Sequence, residues 1–87
     1  MIEHDFENSS NLHYGRHEGN EMTLTFKKNG LPGDSYVYPG VTEEEFNALA
    51  NADLDPTQSA GTHFHNHFGR GSGRRMNFRK VDQEDAA

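Results

Sequence analysis

The sequence predicts a small α+β fold: an antiparallel β-meander of about three strands packed against one or two short helices, with flexible termini. Three observations predict it. Met22-Thr23-Leu24-Thr25-Phe26-Lys27-Lys28 alternates apolar and polar residues with the period of a strand that buries one face. Thr42 followed by Glu45, with Val41 before and Phe46 after, has the spacing of a capping box and a hydrophobic staple, which marks a helix start. The chain has only 87 residues, is 31% hydrophobic and carries a formal charge of −6, which limits it to one compact core with polar ends.

The elements follow in order. Residues 1–8 form a polar N-terminal segment with Ile2 and Phe6 as its apolar anchors. Asn11-Leu12-His13-Tyr14-Gly15 reads as a short strand with Leu12 and Tyr14 on one face, and Arg16 to Glu21, around Gly19-Asn20, as a turn. The Met22–Lys28 strand comes next. Asn29-Gly30 is a tight-turn signal, and Leu31-Pro32-Gly33-Asp34 predicts a hairpin loop longer than two residues. Ser35-Tyr36-Val37-Tyr38 is the third strand, stopped by Pro39-Gly40. In the helix opened by Thr42, Glu43, Glu44 and Glu45 sit at the positive end of the dipole. Phe46, Leu49 and Ala50 form its buried stripe, which fades near Asp53. Asp55-Pro56-Thr57 is a connector. Ser59 caps a second, shorter helix through Phe68, with Phe64 and Phe68 on one face. The expected domain spans residues 9–68. Residues 69–87 form a flexible tail whose Gly/Arg-rich start, Gly69 to Arg75, is too polar to order itself, although Met76 and Phe78 offer anchors to the body.

Several classes are excluded. There is no cysteine, so no disulfide framework and no thiolate zinc site. No apolar run approaches the roughly 20 residues of a membrane span. The acidic start Met1-Ile2-Glu3-His4-Asp5 lacks the apolar stretch of a signal peptide, and a cytoplasmic protein is expected.

Charge is unevenly spread. Residues 1–69 carry Arg16, Lys27 and Lys28 against eleven acids, a balance of −8. Arg70, Arg74, Arg75, Arg79 and Lys80 then give +5, and Asp82, Glu84 and Asp85 give −3. The pattern is an acidic body, a basic segment and an acidic tip.

Tyr36-Val37-Tyr38, Val41 and Ser59-x-Gly61-x-x-Phe64, in that order after a Ser-Ser step, a strand with Tyr14 and Leu24-Thr25-Phe26, carry a resemblance. Over roughly residues 9–68 the chain resembles the KTSC domain, a module at the C-terminus of some lysyl-tRNA synthetases and a stand-alone protein in phages and bacteria. Thr42 stands where that family usually has proline, and the Leu31–Asp34 and Asp53–Gln58 segments are longer than usual. The resemblance implies a binding module without established chemistry, and thus a fold more than a function. Small acidic phage members are natural candidates for binding and blocking a host protein.

Candidate sites are weighed against plainer readings. His63 and His67, four apart on a helix, can bind zinc or copper if His13, His17 or a carboxylate supplies a third ligand; the plainer reading is the wet face of a short helix. His65-Asn66-His67 spells a nuclease label without the geometry, since three adjacent residues cannot surround a metal. No phosphate loop, Gly-x-Ser-x-Gly elbow or cysteine nucleophile is present, so the chain is expected not to be an enzyme and to need no cofactor. Tyr36 and Tyr38, if they face outward, form with Glu43 and Glu44 an acidic, aromatic protein-binding surface. Arg70, Arg74, Arg75, Phe78, Arg79 and Lys80 resemble arginine–glycine segments that bind nucleic acid by charge and stacking, unless the tail folds back on the acidic body. The expectation is a non-enzymatic binding protein, a phage-encoded modulator of a host protein, with nucleic-acid binding through the Arg70–Lys80 segment as the alternative. So small a core also gives the chain reason to form a homodimer.

Overall fold

The structure, a computed structural model, describes residues 1–73 and 77–81. It is a small α+β fold in which five antiparallel strands form one sheet in the order β1-β2-β3-β4-β5. The meander is as expected, but there are five strands rather than about three. The two extra strands are the polar ends of the chain.

β1 (Ile2–Asp5) pairs with β2 (Leu12–Glu18) through Ile2↔His17 and His4↔Gly15. Sequence alone gives it no apolar alternation. Its inward polar residue, His4, is instead satisfied by Asp53, whose carboxylate lies 2.9 Å from Nε2. A polar segment can be a strand when its buried member has a partner. β2 runs through residues expected to turn. Arg16, His17 and Glu18 are in the ladder, and the turn shrinks to Gly19-Asn20 before β3 (Glu21–Lys28). A bulge between Leu12 and Tyr14 puts these two on opposite faces, against the expected common one. Leu12 is fully buried, and Tyr14 donates to Glu3 on the other side.

β3 buries Met22 and Leu24 as its alternation requires. The β3–β4 loop is only two residues long, not longer. Asn29 and Gly30 both take positive φ, 54° and 79°, the pair that matches strand twist. Leu31 to Asp34 join β4 (Leu31–Pro39), and their extra residue is absorbed by a bulge where Thr25 pairs with Ser35 but Lys27 with Pro32.

α1 (Glu43–Leu54) starts as expected. Thr42 Oγ1 accepts from the Glu45 amide at 3.1 Å, and the Glu45 carboxylate accepts from the Thr42 amide at 2.9 Å. Its buried residues are Phe46, Leu49, Ala52 and Asp53, so the stripe continues through Ala52 and Asp53 where Ala50 was expected to complete it. α2 (Ala60–His67) is capped by Ser59, whose hydroxyl accepts from the Thr62 amide at 3.2 Å. A single 3-10 turn, Arg70–Ser72, follows. β5 (Arg79–Lys80) then pairs with β4 through Tyr36↔Lys80 and Val37↔Arg79. This part of the tail, read as flexible, therefore closes the sheet.

Both helices contribute to one core on one face of the sheet. Phe6, Leu12, Met22, Leu24, Val41, Phe46 and Leu49 are fully buried there. On the opposite face a row runs across the strands as Glu3, Arg16, Thr23, Val37 and Arg79. Among the described residues, no helix is long and apolar enough to cross a membrane.

Candidate aromatic cleft

Strand parity places the site. Met22 pairs with Tyr38 and Leu24 with Tyr36, so both tyrosines lie on the core side and Val37 on the other. Phe26 follows Leu24 on that side. α2 brings Phe64 to it, with ring centroids 5.5 Å from Phe26 and 5.6 Å from Tyr38. Phe78, just before β5, brings its ring to 5.9 Å from Tyr36 and 5.7 Å from Tyr38. Most of these pairs are edge-to-face, the arrangement ring quadrupoles favour.

The rings are not sealed in. Phe78 is 58% exposed and Leu31, at the hairpin, 67% exposed. A cleft of about 460 Å³ opens between Phe26, Tyr36, Tyr38 and Phe78, and Lys27, Lys28 and Asp34 complete its wall. That volume falls in the roughly 300–1,000 Å³ range of ligand sites. Lys27 donates to the Ser9 carbonyl. Lys80 lies 3.6 Å from Asp34, both more than half exposed. Lys28 is exposed and has no ion pair among the described residues. Burial, with Tyr36 beside it, pushes the Tyr38 hydroxyl up to about 12, so this group stays neutral at physiological pH. The arrangement combines ring faces and edges with a carboxylate, Asp34, that lies near Lys80, and with Lys27 and Lys28 on the same wall. Its chemistry is stacking and anion contact.

The sequence-selected residues divide. Tyr36 is half-buried and lines the cleft. Tyr38 is only 6% exposed, so it forms the floor and does not project as an outward hot spot. With both tyrosines inward, strand parity turns Val37 to the opposite face. Val37 is nevertheless buried, between Thr23 and Arg79 in the register. Glu43 and Glu44 are exposed at the start of α1. That start follows the Glu21↔Pro39 end of the sheet, whereas Lys28 sits at the other end, about 23 Å along the strand. The expected acidic, aromatic surface requires both tyrosines to face outward, and it is not formed because Tyr38 is buried on the core side.

Of the basic segment, Phe78, Arg79 and Lys80 fold back on the body. Arg79 lies 3.7 Å from Glu21, and Lys80 approaches Asp34. Arg70 opens the 3-10 turn. Arg74, Arg75 and Met76 lie outside the described residues. Phe26, Lys27 and Lys28 were not foreseen as site residues. The Lys27-Lys28 doublet before Asn29-Gly30 was the available signal for the cleft's charge.

His63 and His67 do share a helix face, with rings stacked at 4.1 Å. Partial burial, and His67 beside it, hold the His63 imidazole below its ordinary range. The proposed third ligand His17 is committed elsewhere, with Nε2 2.6 Å from the Val41 carbonyl. Among the described residues, no three His, Asp or Glu side chains gather as a metal site. The His4–Asp53 pair is a latch between β1 and α1. Asp53 also accepts from the Asn8 amide at 3.2 Å, and its carbonyl from the Asn8 side chain at 3.0 Å.

No protein-family model, curated protein or solved structure matches the chain.

Proposed function

We propose that this chain is a non-enzymatic binding protein whose contact site is the aromatic cleft, and that it takes nucleic acid there. One observation carries the reading: Lys27 and Lys28 line the cleft with the half-buried Tyr36 and the exposed Phe78, and Lys80 reaches its wall at Asp34. Charge and stacking surfaces in one place are what binding a phosphate chain with accessible bases requires. The −8 balance of residues 1–69 opposes such binding only on average. Its acids include Glu43, Glu44 and Glu45, which follow the Pro39 end of β4 while Lys28 stands at the hairpin end, and a Debye length of about 8 Å at physiological salt screens them from Lys28. The site thus departs from the basic tail in isolation: β3 supplies two of its cations.

A second reading is favoured by Leu31 and Phe78, large apolar side chains left exposed at the cleft margin. A protein partner would cover them, and a phage-encoded modulator of a host protein is the form this takes. The resemblance to the KTSC domain implies a binding role in either case. Both readings place the protein in the cytoplasm, of a bacterial host if phage-encoded.

Fluorescence anisotropy of the full chain with labelled DNA and RNA oligonucleotides at two salt concentrations tests the first reading. Binding that weakens with salt, and weakens further in Lys28→Glu, is expected. If nothing binds at low salt, the first reading fails. Recovery from lysate of one stoichiometric protein, lost in Phe78→Ala, then supports the second.

A further inference from the structure

We infer that the cleft recognises unpaired nucleotides, with the base on the exposed Phe78 and Tyr36 rings and the phosphate between Lys28 and Lys80. This rests on the nucleic-acid reading above and narrows it.

The argument begins with where the rings lie. Tyr36, Tyr38 and Phe78 sit inside a concavity bounded by the β3–β4 hairpin and the segment leading into β5. A duplex keeps its base faces stacked on one another and presents only its phosphates to such a hollow. A flipped or single-stranded base offers a free face to an aromatic side chain. Phe78 is the ring with most area left to cover, while Tyr38 is already enclosed.

The charges give the same answer. Among the described residues, Asp34 is the one carboxylate on the cleft wall, and Lys80 lies 3.6 Å from it in a pair open to water. Exposed pairs of this kind hold weakly. An entering phosphate can draw Lys80 away from Asp34, and Lys28 adds an ammonium that has no ion pair among the described residues. Asp34 opposes every bound phosphate, so neutralising it tightens the site. A concavity of this volume holds one nucleotide, not a helix.

The chemistry recognised, a base with its phosphate, is shared by a single strand and a free nucleotide. The probes are a fluorescent single-stranded oligonucleotide, its duplex, and an unlabelled mononucleotide as competitor, each with the full chain. The single strand is expected to bind more tightly than the duplex. Phe78→Ala is expected to weaken single-strand binding about tenfold, with an unchanged circular dichroism spectrum. Lys28→Ala is expected to lower the slope of log affinity against log salt by about 0.7. Asp34→Asn is expected to tighten binding.

Displacement of the strand by mononucleotide at similar concentration supports the site with a free nucleotide as the source. Binding of the strand without such displacement supports it with a polymer as the source. Equal affinity for duplex and single strand, unchanged in Phe78→Ala, overturns the inference and leaves the nucleic-acid reading standing. Absence of salt-dependent binding to any probe overturns both.

Discussion

The two edges of the sheet are built differently. At the β1 edge, α1 lies over the strands and the packing is closed. Phe6, Leu24 and Phe46 are wholly buried, and Gly15 leaves no room for more: a Cβ there would stand 2.9 Å from both Leu24 and Phe6. At the β5 edge, α2 is only eight residues long and buries little besides Ala60. The rings of Tyr36 and Phe78 meet edge to face with space between them and the hairpin. β1 pairs through four residues and β5 through two. One half spends its apolar residues on stability, and the other leaves them reachable. In a chain this short, closed core and open cleft are drawn from the same few large side chains.

That contrast can be broken by mutation. The largest effect is expected for Phe46→Ala, which empties the centre of the closed half and should cost about 3–5 kcal/mol in a urea melt. Gly15→Ala should cost about 1–3 kcal/mol, because rings and methyls in a filled core must move to admit one methyl. Phe78→Ala, in the open half, should cost less than about 1 kcal/mol. If Phe78→Ala destabilised the protein as much as Phe46→Ala, the division into a closed and an open half would be wrong.

The smallest effect is a pH dependence at α2. The His63 pKa lies below its ordinary 6.5 in the folded chain, first through burial and then through His67. Between the folded and unfolded values the unfolded state binds more protons, so stability falls as the pH drops below about 6.5. His63→Gln should flatten the decline in denaturation midpoint over that range. An unchanged profile would place the dependence on other groups.

Legibility in the sequence followed the range of the interactions. The Met22–Phe26 alternation, the Thr42–Glu45 box and the Ser59 cap involve neighbours in the chain, and each is found where expected. β1 and β5 have no comparable local signal. β1 pairs with β2 and is tied to α1 by His4, which reaches Asp53, 49 residues away, and β5 pairs with β4 at Tyr36 and Val37. The cleft was half legible. Tyr36, Tyr38, Phe78 and Lys80 were singled out, but for two different surfaces. Only the fold-back of residues 77–81 onto β4 joins them, and strand parity alone could not say which face the tyrosines took.

The sequence by itself determined the small α+β class, the meander, both helix starts and the separation of charge along the chain. Each follows from steric and hydrogen-bonding rules acting over a few residues. Tertiary structure decided that the chain's polar ends become strands, that Tyr38 is floor and not surface, and that Lys27 and Lys28 meet the tail at one cleft. Those outcomes depend on which distant groups satisfy buried polar atoms and cover apolar ones, and no local pattern encodes that.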